Sequence, residues 1–324
     1  MTGRNQMYDD FENDIRNKVD ELFDDDRKPR PEEYRFTTSA VNGNLFSNSS
    51  YAESDVAIIG VPYDSTTSFR PGARFAPSSI RMNSFGIESF SPYQNRDLSE
   101  VKVFDVGDIE LPLGLQERAV ELVESWTRKI MSDGKFPIIL GGEHLMSLGA
   151  IKAAAKKYGT LYVIQFDAHA DLRNDYLGNP LSHACVMRRV HEILGDGKIF
   201  QYGIRSGTRE EFDFIREGRV ASELFTADNV SNLRIPEGAP VYVTVDMDVL
   251  DPSEFPGTGT PEAGGLKFMQ LLSSVKMILY RFNVVGLDNM ELSPMLDPTG
   301  RSTALSCKLL REEILALKLV KNNH

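Results

Sequence analysis

From Asp55 onward, short runs of apolar and often β-branched residues alternate with longer stretches whose apolar positions recur every three or four residues. The short runs are Val56–Val61, Val101–Phe104, Pro137–Leu140, Leu161–Phe166, Ile199–Gly203, Val241–Val245 and Val284–Leu287. They are nearly unbroken in apolar character, as strands buried on both faces are. The longer stretches, Leu115–Met131, Leu145–Tyr158, Ala184–Leu194 and Lys267–Tyr280, read as helices. This alternation predicts a parallel sheet covered on both faces. No repeat, low-complexity tract or composition break follows residue 50, so residues 51–324 are expected to form one domain.

Residues 1–50 carry a different pattern. Phe11, Ile15, Val19, Leu22 and Phe23 recur at helical spacing in an acidic background, which predicts an amphipathic helix over roughly residues 8–24. A polar stretch with Pro29 and Pro31 follows and reads as a strap. A helix of this length is marginal alone, so its apolar stripe must pack on the body or on a neighbouring subunit.

The polar residues of interest stand just after the predicted strands. Leu140 leads into Gly141-Gly142-Glu143-His144, and Phe166 into Asp167-Ala168-His169-Ala170-Asp171. Val245 leads into Asp246-Met247-Asp248, and Leu287 into Asp288-Asn289-Met290-Glu291. In extended backbone, residues two apart point to one face. In open α/β sheets ligands bind beyond the carboxyl ends of the strands. His144, Asp167, His169, Asp171, Asp246 and Asp248 thus form a candidate set of two imidazoles and four carboxylates. Unpaired carboxylates so close together would repel one another and resist desolvation, and metal ions remove both costs. Six ligands exceed what one ion needs while keeping a position open for water, so two ions are expected. Oxygen-rich ligation with some nitrogen and no thiolate favours Mn²⁺ over Zn²⁺, with Fe²⁺, Co²⁺ or Ni²⁺ as alternatives.

Composition narrows the choice of partner and compartment. A net charge of −11 argues against a nucleic-acid or anionic-membrane surface and suits a cationic substrate. Cys185 and Cys307 are the only cysteines, too few for a disulfide framework. No apolar run approaches the ~20 residues of a membrane span, and Met1–Asp14 has no signal-like apolar core, so a cytoplasmic protein is expected.

These motifs resemble the signatures of the ureohydrolase family, the arginases and agmatinases. The resemblance is carried by Gly141–His144, Asp167–Asp171 and Asp246–Pro252, by the run from Pro256 to Glu262 with Gly264-Gly265, and by Gly286–Pro294. Tyr63-Asp64, Arg70–Pro77, Ser91-Pro92-Tyr93 and Gly203–Gly207 make it most similar to bacterial agmatinases. The resemblance implies a three-layer α/β/α fold with a mainly eight-stranded parallel sheet, and homo-trimers or homo-hexamers. It implies hydrolysis of a guanidino compound by a metal-bridging hydroxide. One Mn²⁺ would sit on His144, Asp167, Asp171 and Asp246, and the other on Asp167, His169, Asp246 and Asp248. Glu291 would hold the substrate guanidinium, Thr260 would line its pocket, and His183 would shuttle protons. Asp171 is suited to take the proton of the nucleophile.

Agmatine is the leading substrate, giving putrescine and urea. The segment Leu172-Arg173-Asn174-Asp175-Tyr176 does not follow the arginase pattern of the loop that receives an α-carboxylate and α-amine. Guanidinobutyrate or guanidinopropionate remain alternatives, with Arg173 or Arg205 available to a distal carboxylate. Arginine, guanidine itself, or a non-catalytic metal-binding role are further alternatives. Glu143 departs from the Asp of many relatives and is expected behind the ligands. Cys185 and Trp126 are expected in the core, His191 on the surface, and Asp251 in a turn.

Overall fold

A computed structural model of the chain describes residues 36–37 and 44–318. They lie within one compact unit that begins at Phe36. The helix expected over residues 8–24 falls outside the described residues. Among the described residues, no helix is long and apolar enough to cross a membrane.

In chain order the elements are β1 (Phe36–Thr37), β2 (Val56–Val61), α1 (Ala76–Asn83), β3 (Phe90–Ser91), β4 (Arg96–Asp97), β5 (Val103–Ile109), α2 (Gln116–Ser132), β6 (Phe136–Gly141), α3 (Ser147–Tyr158), β7 (Tyr162–Phe166), α4 (Val186–Leu194), β8 (Ile199–Ile204), α5 (Arg209–Arg216), β9 (Ala221–Leu224), β10 (Pro240–Asp246), α6 (Phe268–Arg281), β11 (Asn283–Met290) and α7 (Arg301–Ala316). The main sheet runs β1-β5-β2-β6-β11-β10-β7-β8-β9. Eight of its strands are parallel, and β1 adds antiparallel to β5 at the edge. The small β3–β4 pair stands apart from it.

Each strand and helix expected after residue 50 is present, most with ends moved by one to three residues; β5 runs on to Ile109. The sequence pattern shows neither the edge strand β9, the two-residue strands β1, β3 and β4, nor the helices α1, α5 and α7. β9 is half exposed and short, reading Ala-Ser-Glu-Leu, without the apolar run that marks a central strand. α7 is buried along most of its length, including Arg311, Glu312 and Glu313, so no amphipathic stripe advertises it.

Period two along the strands separates the sheet's faces. Val56, Ile58, Ile138, Leu140, Ile164, Phe166, Val241 and Val243 pack with Leu271, Val275 and Ile278 of α6 and Leu310 and Ile314 of α7. Six of the seven described helices fall into two packed sets, α2–α3–α4 and α1–α7–α6, which gives the expected three-layer α/β/α arrangement. Trp126 is buried on α2 and Cys185 is fully buried, as expected. Residues 44–50 share the polar pattern of the N-terminal extension, yet Phe46 joins the core cluster, and Asn44 Nδ2 donates to Asp105 Oδ2 at 2.8 Å.

Candidate metal centre and active-site cavity

Four adjacent central strands, β6, β11, β10 and β7, end in the residues singled out from the sequence. β7 continues beyond Phe166 in near-sheet geometry: Asp167 N donates to Tyr202 O at 3.1 Å, and His169 bridges Ser206. β10 turns sharply, because Asp246 Oδ1 accepts from Asp248 N at 2.9 Å. Asp171 (φ 53°) and Glu291 (φ 64°) sit in the left-handed region. That conformation costs a side-chain-bearing residue about 1 kcal/mol or more, and such residues cluster at functional sites.

The side chains converge. His144 Nδ1 lies 3.0 Å from Asp167 Oδ2, 2.9 Å from Asp171 Oδ2 and 3.5 Å from Asp246 Oδ2. His169 Nδ1 lies 2.9 Å from Asp248 Oδ2 and 3.6 Å from Asp167 Oδ1. Two compact ligand groups result, His144–Asp167–Asp171 and Asp167–His169–Asp248, each with its donor atoms within 4.8 Å of one another. Asp167 belongs to both. Asp246 lies outside both compact groups but close to each, 3.5 Å from His144 Nδ1 and with its pKa raised by burial and by the charges of Asp248 and Asp167.

The donor set fits a cation. His144 Nδ1 is buried among carboxylate oxygens and has no hydrogen-bond partner. Its other nitrogen, Nε2, is 2.9 Å from Thr244 Oγ1, which donates to Asp288 Oδ1 at 2.6 Å. Tyr242 OH donates to the other Asp288 oxygen at 2.9 Å. With Thr244 donating onward, Nε2 carries the proton of the neutral ring, which leaves the Nδ1 lone pair for a cation in the cluster, as behind a ligating histidine.

Titration follows burial and crowding. Burial, then the Asp167 charge, pushes Asp171 up to about 7. Burial, then Glu143, pushes Glu291 up to about 8. Asp246 is raised by burial, then by Asp248 and Asp167. Burial opposes a charge on His169, but Asp248 and Asp167 outweigh it and carry the ring to about 12. His144 is raised in the same way by Asp167 and Asp171. Such a cluster must balance its negative charge with protons or with cations.

A cavity of about 180 Å³ opens beside the cluster, lined by His169, Asp171, His183 and Thr260 and by Arg173 and Tyr176. Thr260 Oγ1 donates to Asp248 Oδ2 at 3.3 Å. Glu291 is not among the lining residues; its Oε1 accepts from His144 N at 2.8 Å, which holds it against the cluster. Burial, then the neighbouring His169, lowers His183 to about 4.

Sequence reasoning missed the second layer around His183. The Thr66 hydroxyl donates to Glu143 Oε1 at 2.6 Å, and Thr66 N donates to Glu143 Oε2 at 2.7 Å. Thr66 Oγ1 lies 3.4 Å from His183 Nδ1, and Ser68 Oγ lies 3.2 Å from His183 Nε2. The signal was available: Ser65–Ser68 is an unbroken hydroxyl run after a buried strand. Arg205, considered for a distal carboxylate, is spent on main-chain carbonyls, Asp248 O at 2.7 Å and Glu262 O at 2.9 Å among them. Asp251 caps a turn as expected, accepting from Ser253, Gly264 and Gly265. His191 is half-buried rather than on the open surface. It lies 2.6 Å from Asp196 and meets the Phe214 ring edge-on.

The arginase family profile matches residues 54–316. The chain belongs to the arginase family. It is 46% identical over 283 residues to an agmatinase of Bacillus anthracis, covering 85% of this chain and 97% of that one. The structure of a candidate agmatinase from Clostridium difficile superposes with a TM-score of 0.80 at 46% identity, covering 83% of this chain and 98% of that one. That of the agmatine ureohydrolase of Thermoplasma volcanium superposes with a TM-score of 0.77 at 34% identity, covering 86% and 95%. Arginase-family membership makes the chain a ureohydrolase-type enzyme, of a family that depends on a binuclear metal centre. The two ligand groups that share Asp167 are where this member can hold one.

Proposed function

We propose that this enzyme hydrolyses agmatine to putrescine and urea, using two Mn²⁺ ions held by His144, Asp167, His169, Asp171, Asp246 and Asp248. The observation that carries the reading is the pair of ligand groups sharing Asp167 at the mouth of a cavity that also holds His183 and Thr260. The 46% identity to an agmatinase directs it to this substrate. When bound, the ions would bring the pKa of a water molecule down toward ~7 and supply Lewis acidity.

The remaining work falls to side chains. A guanidinium is charged at any working pH, and a carboxylate pairs with it through two parallel hydrogen bonds. Glu291 is assigned that task; its buried carboxyl, pushed up to about 8, is brought back to the ionised form by a cationic guest. Asp171 takes the proton released as water adds to the guanidinium carbon. His183 is neutral at pH 7, since its pKa is depressed to about 4. Glu143 engages the Thr66 hydroxyl proton and Thr66 Oγ1 already accepts from His183 N at 3.0 Å, so toward His183 Nδ1 it can only accept, as Ser182 Oγ at 3.3 Å also can. That tautomer leaves the Nε2 lone pair to receive a proton and pass it to the leaving amine. Thr260 lines the substrate's path.

A guanidino acid is the second reading, favoured by Arg173. This residue lines the cavity, and its neighbour Glu211, 3.7 Å away, already accepts from Leu172 N and Thr208 N. A colorimetric urea assay of Mn²⁺-loaded protein with agmatine, guanidinobutyrate, guanidinopropionate, arginine and guanidine decides. Agmatine giving the highest kcat/KM supports the proposal, and no urea from any of them would overturn it. We further propose a cytoplasmic homo-trimer or homo-hexamer; light scattering reads the assembly.

A further inference from the structure

We infer that Gln165, Gln201 and Ser222 form a positioning layer that sets the loop carrying Asp167, His169 and Asp171. The three stand side by side on β7, β8 and β9. The same register continues to Thr244 on β10 and Asp288 on β11. A polar row thus crosses five adjacent strands on one face of the sheet, two residues below Asp167 and Asp246. The Thr244–Asp288 end holds His144. The amide end holds the loop.

Gln165 and Gln201 are 0% and 1% exposed. Buried amides are costly unless their donors and acceptors are matched. Here the matching is complete for all four amide hydrogens. Gln165 Nε2 donates to Asp167 Oδ2 at 2.7 Å and to His169 O at 3.4 Å. Gln201 Nε2 donates to Gln165 Oε1 at 2.6 Å and to Ala170 O at 2.8 Å. Ser222 Oγ donates to Gln201 Oε1 at 2.5 Å. The direction of the chain is forced, because main-chain carbonyls only accept. Both amides therefore turn their NH₂ groups toward the loop, and the serine hydroxyl closes the far end. The row grips the loop at a carboxylate and two carbonyls, all within the four residues Asp167–Ala170. Loosening it lets ligands of both metal groups move together. These are positioning residues, since none of them reaches the cavity.

The inference rests on the proposed two-ion centre, and the test separates the two. Mn²⁺ binding to metal-stripped full-length protein is measured by titration calorimetry for the parent chain, Gln165→Met, Gln201→Met, Ser222→Ala and Ser222→Thr. Kcat, KM and the unfolding of the metal-free form are measured alongside. Methionine keeps the length and removes the amide. We expect Kd for Mn²⁺ to rise by about 10- to 100-fold in both methionine variants, the range for residues behind metal ligands. Kcat should fall with them while KM stays within about threefold. Ser222→Ala should show a smaller rise in Kd that Ser222→Thr, which keeps the hydroxyl, does not. If the methionine variants fail to fold, that serine pair decides. A parent chain binding fewer than two ions would overturn the two-ion centre and this inference with it. Two ions in the parent, with Kd unchanged in the variants and only metal-free stability reduced, would overturn this inference alone.

Discussion

Asp167 is the residue on which the centre turns, because its two oxygens face different histidines, Oδ2 toward His144 and Oδ1 toward His169. Asp167→Asn should therefore lose both ions, whereas Asp248→Asn, which touches only the His169 group, should keep one. Elemental analysis after gel filtration distinguishes the cases, and equal stoichiometry in the two variants would remove the bridging role. Glu291 calls for a different substitution. Its Oε1 holds His144 N, so Glu291→Gln, which preserves an acceptor there, should keep both ions. It loses the charged pair with the guanidinium, worth up to about 3 kcal/mol, so kcat/KM should fall about 100-fold. Loss of metal in that variant would place Glu291 among the ligands instead. His183→Ala should lower kcat by about 10²–10⁴-fold at unchanged metal content, the usual scale for a lost proton carrier. A rate within twofold of the parent would exclude His183 from proton transfer.

At the scale of elements, the site depends on how closely the loops after β2 and β6 approach. Gly142 N donates to Val61 O at 3.0 Å, and Gly142 O accepts from Glu291 N at 2.9 Å. A Cβ at this glycine would sit 1.9 Å from Tyr63 O and 2.6 Å from Tyr63 N. Those are backbone atoms and cannot swing away as a side chain would. Gly142→Ala should therefore destabilise the fold by about 1–3 kcal/mol and weaken metal binding by displacing His144 and Glu291. Chemical denaturation and metal titration measure the two effects. An unperturbed midpoint would mean that the loops separate at no cost.

For the whole molecule, the cluster couples metal to pH. With the ions stripped, Asp171, Glu143, Asp288 and Glu291 have folded-state pKa values raised to about 7, 7, 6 and 8, chiefly by burial. Between the ordinary carboxylate range and those values the folded state binds more protons than the unfolded chain. Its stability therefore falls as pH rises through that window. Asp246 and Glu313, also raised by burial, and His169 and His144, raised by neighbouring carboxylates, act with the same sign, whereas His183, depressed to about 4 by burial, acts with the opposite sign below pH ~6.5. The thermal midpoint of chelator-treated protein should thus drop between about pH 5 and pH 8. Mn²⁺-loaded protein should hold its midpoint over that range, because the ions bind the ionised ligands and stabilise by mass action. Parallel midpoints with and without metal would contradict the account.

The ends of this chemistry were legible from residue order alone. Asp167-Ala168-His169-Ala170-Asp171 and Asp246-Met247-Asp248 follow runs so apolar that they have to be central strands, and period two then aligns the acids. Local spacing could not show that β6, β11, β10 and β7 are neighbours, since strand order is set by long-range packing. Nor could it show that Asp167 faces both histidines while Asp246 reaches His144 at 3.5 Å. Single polar residues inside apolar runs, such as Gln165, Gln201 and Thr244, carry no periodic signal. Their meaning comes from cross-strand register, which sets Gln165 beside Gln201 and Thr244. Arg205 shows the converse. In the sequence it is a free cation, and in the fold its guanidinium is used up on carbonyl oxygens. Sequence thus determined which groups arrive at the sheet's carboxyl edge, because patterning dictates strands and strand ends. Tertiary structure decided which of those groups meet, because hydrogen bonding in a buried layer is a matter of distance between strands remote in the chain.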